Sequence, residues 1–153
     1  MAVNDKTIEV LNDLIQINND RVRGYEKAAD ETNSSDADLR TLFTDFANES
    51  RGYASELTAL VSSLGAEPAE DTTIKGKVYR AWMDVKAVVT GSNRKAILGS
   101  CEFGEDAAQT AYKQALESDA ELPAEIRQLL VDQQQKLKKG HDRVRNMRDS
   151  QTA

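Results

Sequence analysis

Residues 65–91 read GAEPAEDTTIKGKVYRAWMDVKAVVTG, and this stretch decides the fold. It begins as a loop with a glycine and a proline and then becomes amphipathic, which predicts a helix over about 73–89. A bundle whose second and third helices run parallel needs such a long connection, because the chain must return along the whole bundle. We therefore expect a crossover that carries a short helix, with an apolar side made of Ile74, Val78, Ala81, Trp82, Val85, Val88 and Val89.

Two long helical patterns precede this crossover and two follow it. On the first, the apolar stripe includes Val22 and Tyr25, Asn18 falls in its middle, and Asp20 falls on the opposite, solvent face. The turns inside each pair are short, so paired helices must be antiparallel neighbours. The sequence thus predicts one all-α domain over 1–153, a four-helix up-down bundle with a long crossover. The predicted helices cover about 5–32, 36–64, 73–89, 93–118 and 123–149.

Composition and charge exclude several classes of protein. Aromatic residues are few and charged residues make up 30% of the chain, which suits long helices with one solvated face each. The net charge of −6 repels phosphate, so we expect no nucleic-acid partner. The charge is uneven, because residues 1–73 carry −9 and residues 74–96 carry +5. This pattern indicates that a basic crossover lies beside acidic helices.

The sequence also carries indications of its cellular compartment. Cys101 is the single cysteine, so no internal disulfide can form, and a reducing compartment is expected. The first residues lack the basic start and apolar run of a signal peptide. No stretch approaches the roughly 18 uninterrupted apolar residues that a membrane span requires. We therefore expect a cytoplasmic protein with no membrane partner.

The sequence contains only part of a two-metal ligand set. Bundles of this layout that hold two metal ions carry a Glu on each of two helices and Glu-x-x-His on each of the other two. Here Glu49 is followed three residues later by Gly52 rather than His. His141 is preceded three residues earlier by Lys138 rather than Glu, and Asn18 stands at the matching level of the first helix. The six ligands for two ions are therefore not all present in the sequence.

Four residues of metal-binding type still fall at one level of the predicted bundle. Counting along the helices from the two turns places Glu49, Glu102, Glu105 and His141 in the same zone. Carboxylates and one imidazole suit a single Fe, Mn or Zn ion. The alternative is that these residues flank the core and form ion pairs with Arg and Lys. A buried carboxylate needs one partner or the other, because an isolated buried charge is too costly.

Short motifs in every predicted helix carry a resemblance to a known family. They are Leu11-Asn12-Asp13-Leu14, Gly24-Tyr25 and Ala28-Ala29, then Leu42-Phe43, Ala47, Glu49 and Glu56-Leu57, then Arg80-Ala81-Trp82-Met83 and Lys86-Ala87, then Cys101-Glu102-x-Gly104-Glu105-Asp106, and finally His141-Asp142-Arg143-Val144-Arg145 and Arg148-Asp149. On these motifs the chain resembles, almost end to end, a bacterial ferritin-like four-helix-bundle family classed as a domain of unknown function. The resemblance implies a ferritin-like fold and a stress-related role, and it implies no established reaction.

The sequence is compatible with two functions. No phosphate-binding glycine loop, nucleophile elbow or Ser/His/Asp set can be assembled, so no catalytic residue is predicted. The first hypothesis is a non-enzymatic helical module that forms a homo-oligomer or binds a protein partner. The second is a divalent-metal or iron protein with the reduced ligand set Glu49, Glu102, Glu105 and His141.

Overall fold

The structure is a computed structural model that describes residues 5–32, 34–70 and 94–150. Within these ranges it contains four α-helices and no strand. The predicted crossover helix at 73–89 lies outside the described residues. The helices are α1 (Asp5–Glu31), α2 (Ala37–Ser63), α3 (Arg94–Glu117) and α4 (Ala124–Asp149), with one turn of 3-10 helix, Ser34–Asp36, between α1 and α2.

Helices α1 and α2 form an antiparallel hairpin. Near its turn, the Arg40 guanidinium donates to the Thr32 carbonyl oxygen at 2.7 Å. At the other end the Asn12 side chain binds the chain that follows α2. Its amide donates to the Glu67 carbonyl oxygen at 3.2 Å, and its oxygen accepts from the Ala69 N–H at 2.8 Å. The early part of α1 therefore lies beside the chain that leaves α2.

Helix α3 is also antiparallel to α1. Asn18 donates to the Tyr112 hydroxyl at 2.9 Å, and Arg21 donates to Glu105 at 2.6 Å, so numbers rise along α1 as they fall along α3. Since α2 and α3 both run opposite to α1, they are parallel to each other. This confirms the topology that a long crossover requires.

Two apolar clusters fill the bundle, and a polar layer separates them. The upper cluster, nearest the α1–α2 turn, contains Tyr25, Ala28, Ala29, Leu39, Leu42, Phe43, Phe46, Ala47, Ile97, Leu98, Cys101 and Val144. The lower cluster contains Val10, Leu11, Leu14, Ile15, Ile17, Tyr53, Leu57, Val61, Ala108, Tyr112, Ala115, Ala120, Ile126, Leu130 and Leu137. The polar layer consists of the buried residues Asn18, Arg21, Ser50, Glu105 and Gln133.

Helix α2 stops where its sequence indicates. Gly65 has φ +83°, a left-handed conformation that glycine adopts without the steric cost of a Cβ. Its N–H donates to the Ser62 carbonyl oxygen at 3.0 Å, and the Ala66 N–H donates to that of Val61 at 3.2 Å. These bonds satisfy carbonyl groups that the helix end leaves without helical partners.

The two faces predicted for α1 are each wrong at one position. Asp20, expected in solvent, is fully buried, and Val22, expected on the apolar stripe, is only partly buried. Asp20 lies inside the wide buried arc of α1, and Val22 lies near the edge of that arc. Buried residues run from Ile17 through Arg21 to Gly24 and beyond, which covers roughly half of the helix circumference at 3.6 residues per turn.

Candidate functional site

Arg21 lies at the centre of the bundle, with its side chain 1% exposed. Its Nε donates to Glu105 Oε1 at 2.6 Å. Its Nη1 donates to Glu49 Oε1 at 3.0 Å, to Ser50 Oγ at 2.8 Å and to the Phe46 carbonyl oxygen at 3.2 Å. One guanidinium thus connects α1 with α2 and α3. Arginine suits this position because its planar fork offers several donors in fixed directions.

Aromatic rings complete the surroundings of this guanidinium. Its central carbon lies 5.0 Å from the Tyr25 ring centroid and 5.2 Å from that of Phe46, within the range of cation–π attraction. The Tyr25 hydroxyl donates to Glu105 Oε1 at 2.7 Å. Burial disfavours the charged guanidinium, but Glu105 and Glu49 outweigh that effect and raise the pKa of Arg21. Arg21 therefore stays a cation.

The carboxylate of Glu105 is as deeply placed as Arg21, at 0% exposure. Burial, followed by the charge of Glu105, raises the pKa of Tyr25 well above its ordinary value. Tyr25 is therefore a neutral donor to the carboxylate. Glu49 differs from Glu105 because its side chain is 29% exposed, so Glu49 forms the outer partner of the guanidinium.

A second chain of hydrogen bonds runs through the polar layer. Asn18 donates to the Tyr112 hydroxyl at 2.9 Å, and that hydroxyl donates to Gln133 Oε1 at 2.6 Å. Gln133 then donates to Glu56 Oε1 at 3.5 Å. This chain connects α1, α3, α4 and α2 in turn. Every member has a partner, as buried polar groups require.

The structure separates the four predicted metal ligands into different interactions. It brings Glu49 and Glu105 together, but around Arg21. Glu102 pairs with Arg148 at 2.5 Å. His141 lies between two other carboxylates: its Nε2 is 2.5 Å from Asp106 and its Nδ1 is 3.2 Å from Asp142. Across residues 5–32, 34–70 and 94–150 no three His, Cys, Asp or Glu side chains form a group that could hold a metal ion.

The surroundings of His141 favour its protonated form. Burial acts against the charged imidazole, but hydrogen bonds to Asp142 and Asp106 outweigh it, so the pKa of His141 is raised above its ordinary value of 6.5. The charged form joins α3 to α4 through Asp106. The geometry therefore fits an ion pair, the alternative that the sequence left open.

Arg21 is the central residue that sequence reasoning missed. The sequence does indicate that Arg21 is buried. Asn18, Arg21 and Tyr25 follow one another at spacings of three and four, which places all three on one face of α1. Counting Val22 in the stripe instead concealed it, because a charged residue is seldom expected in a core. Its partner Glu105 was predicted only as a candidate metal ligand and lies fully inside the bundle.

This arrangement is suited to holding helices together. Arg21 and Glu105 are fully buried and bonded to each other, so neither is presented to a substrate. Charged groups in such a site stabilise one arrangement of the helices, because any displacement would break several charge-assisted hydrogen bonds. None of the helices in the described ranges is long and apolar enough to span a lipid bilayer.

Comparison with known proteins adds a fold and a family. Among solved structures, a mutant of Mycobacterium smegmatis Dps1 superposes with a TM-score of 0.80 at 19% sequence identity, covering 95% of this chain and 99% of that one. At this identity the likeness shows the fold, a ferritin-like all-α four-helix bundle. Comparison with curated proteins finds no match. The profile described as "Domain of unknown function (DUF2383)" matches residues 6–118, which is more than half of the chain. The chain therefore belongs to the DUF2383 family.

Proposed function

We propose that this protein is a non-enzymatic helical module that binds a second copy of itself through complementary rows of charge on α1 and α4. The non-enzymatic part is supported by the bundle centre, where the buried carboxylate Glu105 is bonded to Arg21. The self-association part is carried by one observation, a row of exposed cations on an acidic protein.

The basic row consists of Lys136, Lys139 and Arg143. Spacings of three and four residues place them on one side of α4, and all three are exposed. Within the part of the chain that the structure describes, none of them forms an ion pair. The whole chain carries −6, so three adjacent cations attract an acidic surface of another copy.

The acidic row consists of Asp5, Glu9 and Asp13, at spacings of four along the exposed side of α1. Lys6 lies 3.9 Å from Glu9 and offsets part of the negative charge. Burial and the neighbouring charge of Glu9 raise the pKa of Asp13, while Lys6 acts in the opposite sense. The row is therefore a place where negative charges repel one another, and a cationic partner would relieve that repulsion.

The two rows match in length. At a rise of 1.5 Å per residue, the basic row spans about 10 Å and the acidic row about 12 Å. Three charges of one row can thus face three of the other when two helices lie side by side. Exposed ion pairs are individually weak, so we expect an association that depends on the whole row and on salt.

The test is a charge swap measured by light scattering coupled to size exclusion. We expect the parent protein to form oligomers at low salt and to dissociate at high salt. Lys136→Glu, Lys139→Glu and Arg143→Glu together should give monomers. Adding Asp5→Lys, Glu9→Lys and Asp13→Lys to that triple variant should restore association.

Two exposed cations outside the row supply the control. Lys113→Glu with Arg145→Glu changes charge in the same sense on α3 and on another side of α4, and it should leave the oligomeric state unchanged. A parent protein that is monomeric at low salt would refute the proposal. So would a triple variant that associates like the parent.

A second candidate function is supported by the convergence of Glu49 and Glu105 from α2 and α3. In this reading the protein binds one Fe, Mn or Zn ion with Glu49, Glu102, Glu105 and His141. The ion must then compete with Arg21 for two carboxylates. If it binds, the melting temperature rises with Fe(II), Mn(II) or Zn(II) concentration by mass action, and His141→Ala with Glu105→Gln abolishes the rise. An unchanged melt would eliminate this candidate.

The cellular compartment of the protein and the conditions under which it acts can also be inferred. We place the protein in the cytoplasm, because its single cysteine suits a reducing compartment. Its stress-related role is the one that the family resemblance implies. Fractionation of cells, with protein abundance measured before and after oxidative or nutrient stress, tests both statements. Equal abundance under all conditions would contradict the stress-related role.

A further inference from the structure

Two buried polar atoms at the centre of the bundle have no hydrogen-bond partner among the described residues. They are Arg21 Nη2 and Glu105 Oε2, on side chains that are 1% and 0% exposed. The other polar atoms of these two side chains are bonded as described above. Such atoms are uncommon in folded proteins, because leaving them without partners costs their full desolvation. Each atom therefore needs a partner beyond the contacts described so far.

Gly140 of α4 lies against both atoms. A Cβ at this position would be 3.3 Å from Arg21 Nη2, 3.5 Å from Glu105 Oε2 and 3.4 Å from a ring carbon of Phe46. A donor and an acceptor thus border the same small space over the bare surface of the helix. We call this space, bounded by Arg21, Glu105, Phe46 and Gly140, the glycine pocket.

The chemistry of the glycine pocket selects its occupant. A cation is disfavoured by the Arg21 charge and an anion by the Glu105 charge. A neutral molecule that both accepts and donates hydrogen bonds satisfies both atoms. We propose that the glycine pocket holds one ordered water molecule, which accepts a hydrogen bond from Arg21 Nη2 and donates one to Glu105 Oε2.

This proposal explains why α4 has glycine at 140. Any other side chain would bring a Cβ into contact with both Arg21 Nη2 and Glu105 Oε2, and it would crowd out a water molecule bound to them. The competing arrangement is a direct fork, in which Nη2 turns onto Oε2 and the pair becomes bidentate. The two arrangements differ in the distance between these atoms and in their response to a hydroxyl at position 140.

The test compares Gly140→Ser with Gly140→Ala by urea denaturation. Both variants add the same Cβ, so its close contacts cancel in the comparison. Serine supplies a hydroxyl that accepts from Nη2 and donates to Oε2, whereas alanine displaces the water and supplies nothing. We expect the urea midpoint of Gly140→Ser to lie above that of Gly140→Ala.

Gly52 provides a matched control on α2. It is exposed, and a Cβ there would meet nothing within 4 Å. Intrinsic helix propensity favours alanine over serine, so the order of midpoints should be reversed at Gly52. Alanine equal to or better than serine at position 140 would overturn the proposal.

A crystal structure of the unaltered protein gives a second, independent readout. We expect density for one water within hydrogen-bonding distance of both Arg21 Nη2 and Glu105 Oε2. A direct Nη2–Oε2 hydrogen bond with no density between α4 and the pair would overturn the proposal, even if both variants failed to fold.

Discussion

Arg21 is among the largest fully buried side chains of the described residues, and its hydrogen bonds reach α2 and α3. We expect Arg21→Met to destabilise the protein by about 3–5 kcal/mol, because the buried Glu105 carboxylate would lose its charged partner. Urea denaturation followed by circular dichroism measures the loss. A change below about 1 kcal/mol would mean that Glu105 finds another partner.

A double variant separates the ion pair from the packing around it. Arg21→Met combined with Glu105→Gln removes both charges while keeping similar shapes. We expect the double variant to be more stable than Arg21→Met alone, because no unpaired charge is left inside. Equal stability of the two variants would show that the loss comes from packing rather than from charge.

His141 makes a pH-dependent contribution. Its pKa is higher in the folded protein than in the unfolded chain, so protonation favours folding. That contribution is complete below the ordinary pKa of 6.5 and is lost as pH rises through the raised value. We expect the difference in unfolding free energy between the parent and His141→Gln to be larger at pH 6 than at pH 9. A difference that grows with pH would contradict the Asp106 pairing.

At the scale of single elements, α2 offers the clearest packing test. Phe46 and Tyr53 are buried on the same side of this helix, one in each cluster. We expect Phe46→Ala and Tyr53→Ala each to lower the free energy of unfolding by about 3–5 kcal/mol, from lost transfer energy and cavity formation. Thr44→Ala, on the exposed side of α2, should change it by less than about 0.5 kcal/mol.

The helices differ in how far their sequences predicted their surroundings. Along α2 the buried residues from Leu39 to Val61 recur at helical period, and all of them except Ser50 are hydrophobic. Along α1 the same reasoning failed at Asp20, which is buried although its side chain is ionisable. Periodicity identifies where apolar residues cluster. It does not show whether a polar residue has a hydrogen-bond or ion-pair partner inside the protein.

At the scale of the whole molecule, the polar layer divides the core into two apolar clusters. Leu42 of the upper cluster and Leu57 of the lower cluster are fifteen residues apart on α2, or about 22 Å at 1.5 Å per residue. We expect Leu42→Ala and Leu57→Ala to have additive effects within about 0.5 kcal/mol. A coupling above about 1 kcal/mol would show that the polar layer transmits strain between the clusters.

The fold could be predicted from the sequence more fully than the site. Two hairpins and a long connection leave few arrangements, and the parallel pair α2 and α3 followed from the length of 65–91. The site depends on distances of an ångström or two between side chains of different helices. Counting residues placed Glu49 and Glu105 at one level, and they do meet there. It could not show that Arg21 would lie between them.

The cation at the centre of this bundle has a consequence for how the protein is made. Because this charge belongs to the Arg21 side chain, every chain carries one copy of it as soon as it is synthesised. No chelator can remove it, and its supply does not vary with the growth medium. The positive charge that pairs with Glu49 and Glu105 is therefore encoded in the amino-acid sequence and does not have to be taken up from the surroundings.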